Sequence, residues 1–128
     1  MKIDFTNKKI FKLHQEDTNN GTKVLNELLL DDEVVVGSYV SMRDRVIFTN
    51  KRIVSVNVQG ITGSKIDYTS IPYKRIQFYS VETAGTIDLD SELEIYLSGS
   101  TSIKFEFFGN NNIREIGKRI SEFVLGNC

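Results

Sequence analysis

The stretch from Arg45 to Gly85, RVIFTNKRIVSVNVQGITGSKIDYTSIPYKRIQFYSVETAG, constrains the fold more than any other part of the chain, because its apolar residues recur with a period of two. Val46 and Phe48 share one face of a first strand; Val54, Val56 and Val58 share one face of a second, with Ser55 and Asn57 between them. Successive side chains of a strand point to opposite sides, so this alternation predicts half-buried antiparallel strands. The breaks carry turn chemistry: Asn50 with Lys51, then Gly60 and Gly63, then Pro72 after Ile71. Asn tolerates positive φ, Gly adopts it freely, and Pro supplies no ladder donor. Four strands joined by three turns predict a meander, a sheet whose neighbours in space are neighbours in sequence.

The flanks extend the pattern. From Glu33, Val34, Val36 and Val40 fall on one face of a strand and Val35 and Tyr39 on the other, which predicts a strand covered on both sides. After the meander, Leu93, Ile95 and Leu97 alternate with Glu92, Glu94, Tyr96 and Ser98. Ile103, Phe105 and Phe107 then alternate with Lys104 and Glu106, which makes a hairpin across a polar turn. The period next lengthens to three and four at Ile113, Ile116, Ile120 and Phe123 or Val124, behind Asn112 and Glu115 as a capping arrangement, so the chain ends in an amphipathic helix of about 13 residues. Upstream, Thr22 is read as the cap of a short helix with Val24, Leu25, Leu28 and Leu29 as its apolar stripe and Asp31 and Asp32 as its stop. Residues 1–22 are read as an N-terminal extension and 23–128 as the domain. FTNKKI at residues 5–10 echoes FTNKRI at 48–53, but the likeness fades on both sides and is read as coincidence. The expected fold is therefore mainly β: seven antiparallel strands forming an incomplete barrel, with a short N-terminal helix and a C-terminal helix that plugs the open end.

At 128 residues with 40% hydrophobic and 26% charged residues, the chain suits one core. Sixteen Lys and Arg against seventeen Asp and Glu leave a net charge of −1, so no global field attracts nucleic acid. The N-terminus MKIDFTNKKIFKLHQ lacks the apolar core of a signal peptide, and no run approaches the roughly 18 apolar residues of a membrane span, so a cytoplasmic protein is expected. Cys128 is the final residue and the single cysteine, which excludes an intrachain disulfide; His14 is read as a solvated loop residue. Enzymatic motifs are missing: there is no Gly-x-Ser-x-Gly elbow and no phosphate loop, and GITG at residues 60–63 joins two strands rather than two helices. Neither an activity nor a cofactor is expected.

The order of elements and the wording of LLLDDEVVVGSYVSMRDRVIFTNKRIVSVNVQGITGSKIDYTSIPYKRIQFYSVETAG, DLDSELEIYLSG and the closing helix resemble a bacterial family of pleckstrin-homology-like domains, over about residues 24 to 125. The runs RDRVIFTNKRI and SIPYKRI carry the resemblance, with FYSVETAG, which departs from the family's FSVETAG at Tyr79. It implies a pleckstrin-homology-like split barrel, a non-enzymatic role and assembly into ring-shaped homo-oligomers, a cyclic pentamer first among them.

Pleckstrin-homology domains that hold phosphoinositides use a basic loop between their first two strands, because a polyphosphorylated headgroup needs several charge-assisted hydrogen bonds. Here that loop offers Arg43 and Arg45 around Asp44, and the neighbouring loop adds Lys65, so these three are the candidate anion-binding residues. Membrane lipid is accordingly the rival partner. Lys51 with Arg52 and Lys74 with Arg75 are expected to pair with Asp88, Asp90 and Glu92 at the opposite end. Those three carboxylates fail as a calcium loop, because Leu93 replaces the required Gly and no Glu stands twelfth, so no metal is expected. What remains is interaction. A split barrel exposes strand edges, which must be protected or paired with another chain. Pro72 is expected to blunt one edge and the strand from Glu33 to lie against a neighbouring copy, so the expected partners are the chain itself and an unidentified protein.

Overall fold

The alternating pattern becomes one open sheet of eight strands in the computed structural model, which describes residues 9–87, 89–99, 101–109 and 113–126. In chain order these are β1 (Lys9–Glu16), β2 (Val35–Ser41), β3 (Asp44–Thr49), β4 (Arg52–Gln59), β5 (Lys65–Pro72), β6 (Phe78–Glu82), β7 (Ser91–Tyr96) and β8 (Ser102–Phe107). Helix α1 (Thr18–Val24) follows β1, and α2 (Ile113–Leu125) follows β8. The spatial order is β5-β4-β3-β2-β1-β8-β7-β6. Two meanders are thus present, β2 to β5 and β6 to β8, and the chain crosses from one free edge to the other between Pro72 and Phe78. The single four-strand meander expected from the sequence is corrected by that break.

The count of seven strands is also corrected. Residues 9–16, within the segment read as an extension, form β1 at the middle of the sheet. It pairs parallel with β8 (Lys9 with Lys104, Ile10 with Phe105, Leu13 with Phe107) and then antiparallel with β2 (His14 with Val40, Gln15 with Tyr39, Glu16 with Ser38). The register slips between Ile10 and Leu13, where Lys12 takes a φ of 56°. A bulge of this kind bends a strand and lets one segment serve two ladders. His14 therefore lies on a strand rather than in a loop, exposed and against the Phe108 ring at 4.9 Å.

The N-terminal helix exists but not where the leucines placed it. Asp17, not Thr22, is the cap, and its side chain accepts from the Asn19 N–H at 2.8 Å. Leu25 sits at the C-cap, and Leu28 and Leu29 lie in the turns beyond. Leu25 still reaches the outer face of β3 and β4, where it packs with Ile47, Val54 and Val56. The larger core lies on the inner face: Leu13, Tyr39, Phe48, Ile53, Phe105 and Phe107 meet Ile113, Ile116 and Ile120 of α2. Tyr39 stands edge-on to Phe107 and Phe48 at 4.9 and 5.7 Å, the offset arrangement favoured by ring quadrupoles. Phe123 of α2 stacks on Tyr73 at 4.9 Å. Each buried isoleucine of α2 contributes about 1.5 to 3 kcal/mol, so the helix is held by packing over the open sheet rather than by propensity. Asn112, read as its cap, lies outside the described residues, as do Asp88 and Cys128.

Candidate functional site

The basic residues singled out from the sequence do not converge. Arg43 occupies the tight turn between β2 and β3, and its Nη2 donates to the Gly60 carbonyl oxygen at 2.6 Å, tying that turn to the β4–β5 loop. Lys65 opens β5 at the same end and is exposed. Arg45 points elsewhere: on the outer face of β3, its Nε donates to Glu16 Oε2 at 2.7 Å. Ser38 Oγ donates to the same oxygen at 2.6 Å. Burial pushes the Glu16 carboxyl up, but the hydrogen bonds from Arg45 and Ser38 together outweigh it and hold the group below its ordinary value. The structure thus brings Arg43 and Lys65 to one end and commits Arg45 to fastening β1 onto β2 and β3. The same end carries a signal the sequence reading missed. Met42, at a φ of 55°, is 97% exposed, and Ile61 on the adjoining loop is fully exposed.

The expectation for Lys51 and Arg52 is corrected as well. Lys51 pairs with Asp32 at 3.0 Å and Arg52 with Glu33 at 2.9 Å, while Glu92 is taken by Lys104 at 3.7 Å. The reason is topological: the β3–β4 turn lies against the segment leading into β2, not against the acidic loop. Glu33 is fully buried, and it also accepts from Thr49 Oγ1 at 2.6 Å and from the Leu30 N–H at 3.1 Å.

Between α2 and β1–β3 lies a cavity of about 80 Å³, lined among others by Gln15, Gly37, Tyr39, Phe48, Ile116 and Arg119. Gly37 forms part of its wall, since a Cβ there would stand 3.2 Å from the Tyr39 ring. Tyr39 is 3% exposed, and burial raises its hydroxyl above the ordinary phenolic range, so the group is a neutral donor. Nothing in the sequence pattern links these residues, which come from β1, β2, β3 and α2.

The edges are β5 and β6, and Pro72 closes β5. The strand from Glu33 was expected at an edge; β2 is instead interior, with β1 and β3 on either side. On the opposite edge, Phe78 is 58% exposed and stacks on Tyr96 at 4.1 Å. Among the described residues, no three His, Cys, Asp or Glu side chains are grouped to hold a metal ion. No helix of the described residues is long and apolar enough to cross a membrane.

The family model for the bacterial PH domain matches residues 4–124, which includes β1. The chain belongs to the bacterial PH domain family. It is 45% identical over 103 residues, 79% of this chain and 82% of the other, to the uncharacterized protein YjqA of Bacillus subtilis (strain 168). A crystal structure of a protein with a pleckstrin-homology domain from Shewanella loihica is similar with a TM-score of 0.75 and 33% identity, covering 90% of this chain and 99% of that one. The pleckstrin homology domain from Shewanella amazonensis is similar at 0.65 and 38%, covering 87% and 90%. In this bacterial PH domain the second meander, β6 to β8, packs with α2 over the first, and the sheet remains unclosed between β5 and β6.

Proposed function

We propose that this bacterial PH domain is a non-enzymatic scaffold that joins copies of itself into a closed ring, β5 of one copy meeting β6 of the next. The observation that carries the reading is the open sheet with two unlike free edges. Unpaired edges template pairing with another chain, and an interface between two different surfaces closes into a cycle when the rotation allows it. Five copies follow from the family resemblance. Light scattering across a dilution series tests it: a fixed multiple of the 14.6 kDa chain is expected. Tyr68→Lys on β5 or Ser80→Lys on β6, each alone, is expected to return a monomer, because a heterologous ring loses every interface when either edge is spoiled. A wild-type monomer at all concentrations overturns the ring.

A second reading has its own observation: the fully exposed Met42 and Ile61 project at the end that holds Arg43 and Lys65. Apolar tips beside cations suit an anionic lipid surface, with Arg43 as the residue that meets headgroups while Arg45 stays with Glu16. Sedimentation with phosphatidylserine vesicles at low salt tests it. Binding that weakens in Arg43→Ala and in Met42→Ser favours this reading, and no binding to any anionic vesicle removes it.

A further inference from the structure

Strand direction decides which turns share an end of the sheet. Six of its seven neighbouring pairs are antiparallel and one, β1 with β8, is parallel, so the two free edges, β5 and β6, run in the same direction. The β2–β3 turn, the β4–β5 loop and the β7–β8 turn accordingly lie at one end, and the β3–β4 turn and the β6–β7 loop at the other.

The two ends differ in chemistry. At the first, Met42 and Ile61 project fully into solvent, with Arg43 and Lys65 exposed on the same turn and loop. The carboxylates of that end are drawn inward: Asp44 is buried and accepts from the Val58 N–H at 2.9 Å, and Asp67 is half-buried and accepts from Thr69 Oγ1 at 2.9 Å. At the second end Ile87 and Leu89 are exposed too, but Asp90 shares their loop and the exposed Glu82 closes the strand before it. Lys51 there is taken by Asp32, and Lys74 and Arg75, just past β5, offset part of the acidity. Apolar tips beside cations fit an anionic bilayer, because the tips enter the headgroup boundary and each cation near the surface raises affinity about fivefold. The first end has that chemistry and the second does not. The two cations of a single copy nevertheless hold a bilayer weakly.

Closure into a ring changes this. A rotation about an axis along the strands preserves their direction, so β5 of one copy meets β6 of the next in parallel and every copy turns the same end to the same side. We propose that the ring is a one-sided membrane platform: the Met42, Arg43, Ile61 and Lys65 tips of all its copies form one face that seats on an anionic lipid bilayer, while the face carrying Ile87 and Asp90 stays in water. The inference rests on the ring and on the lipid contact given above, and adds that firm attachment depends on assembly. Sites held in one body gain about 10²- to 10⁴-fold in avidity when they can engage together. A two-fold dimer through β5 would point its tips in opposite directions and gain none of it.

The test uses the full chain with Cys128→Ser and one new cysteine, Met42→Cys or Lys74→Cys, carrying a polarity-sensitive nitrobenzoxadiazole label. Light scattering first gives the mass of each protein. Vesicles of phosphatidylcholine with and without phosphatidylserine are then titrated in at low salt. The expected result is a blue-shifted, brighter label at Met42→Cys with phosphatidylserine vesicles alone, and no response at Lys74→Cys. Tyr68→Lys and Tyr68→Glu spoil the β5 edge while moving the charge in opposite directions, and each, unlabelled, is expected to lower vesicle affinity roughly a hundredfold in sedimentation. Equal vesicle affinity in the ring and in both monomeric variants, or a response at Lys74→Cys, overturns the platform and leaves the ring standing. A ring that ignores phosphatidylserine vesicles overturns the lipid contact. A wild-type monomer that still binds them overturns the ring, and the platform with it, but not the lipid contact.

Discussion

Replacing Arg52 with Met should destabilise the fold in a way that reverses its usual dependence on acid. Arg52 grips Glu33 with two parallel bonds, Nε to Oε2 and Nη2 to Oε1, both 2.9 Å, and its Nη1 and Nη2 also reach Ser70 Oγ and the Leu28 carbonyl oxygen at 3.0 and 2.8 Å. The Glu33 side chain has no exposed surface, whereas that of Arg52 is 23% exposed. Breaking a buried pair from one side costs about 3–5 kcal/mol, and the partly wet arginine places this case near the lower end, about 3 kcal/mol. In the wild type, burial pushes the Glu33 carboxyl up, but hydrogen bonds from Arg52, Thr49 and the Leu30 N–H outweigh it and hold the pKa below its ordinary value. A lowered folded-state pKa means stability that is present above the unfolded carboxylate value and lost as pH falls through the folded one. Without Arg52 the burial effect dominates, the folded pKa rises above the unfolded one, and protonation relieves the buried charge. Urea denaturation followed by circular dichroism should therefore show a gap between the two proteins of about 3 kcal/mol near pH 7 that narrows as the pH is lowered toward about 4. A gap below about 1 kcal/mol at neutral pH, or one that stays constant on acidification, refutes the argument.

Two further substitutions probe the packing. Gly21→Ala puts a Cβ 2.7 Å from Ser38 Oγ, a hydroxyl already held by Glu16, so denaturation should show a net loss of about 1–2 kcal/mol despite the better helix former, and a smaller loss in a Ser38→Gly background. Ile120→Ala removes a fully buried side chain from the face of α2 that seals the core, and urea unfolding should register about 2–5 kcal/mol.

Strands β7 and β8 and helix α2 were legible because each buries one face and so leaves a period in its sequence, whereas β3 and β4, buried almost throughout, were legible as apolar runs bounded by turn residues. Strand β1 was not. KIFKLHQE changes partner and register at Lys12, so its alternation is interrupted. TNNGTKV has no apolar stripe because α1 meets the sheet through Gly21 pressed on Ser38, a contact made by the lack of a side chain. Of the leucines that follow, Leu25 is a buried anchor at the C-cap and Leu29 packs partly beside it, while Leu28 is exposed. Arg43, Arg45 and Lys65 were found as letters; which of them is spent on Glu16 depends on where β1 lies, so it followed from the strand that was missed. The cavity beneath α2 draws on four elements, and no spacing in the sequence encodes their meeting.

The placement of β1 also sets the order of events during folding. Each meander is built of adjacent segments and can zip from its own turns, but Leu13 and Phe107 become neighbours across some ninety residues. On a ribosome the first meander is complete while β1 still has one unsatisfied flank, which must wait until β8 has emerged. Pairings of such long sequence separation are slow, because loop closure is charged before the contact returns anything. In that interval a nascent chain shows the unpaired side of β1 to whatever is near, including another nascent copy. The strand that ends as the seam of the sheet is therefore, for a time, its most adhesive border.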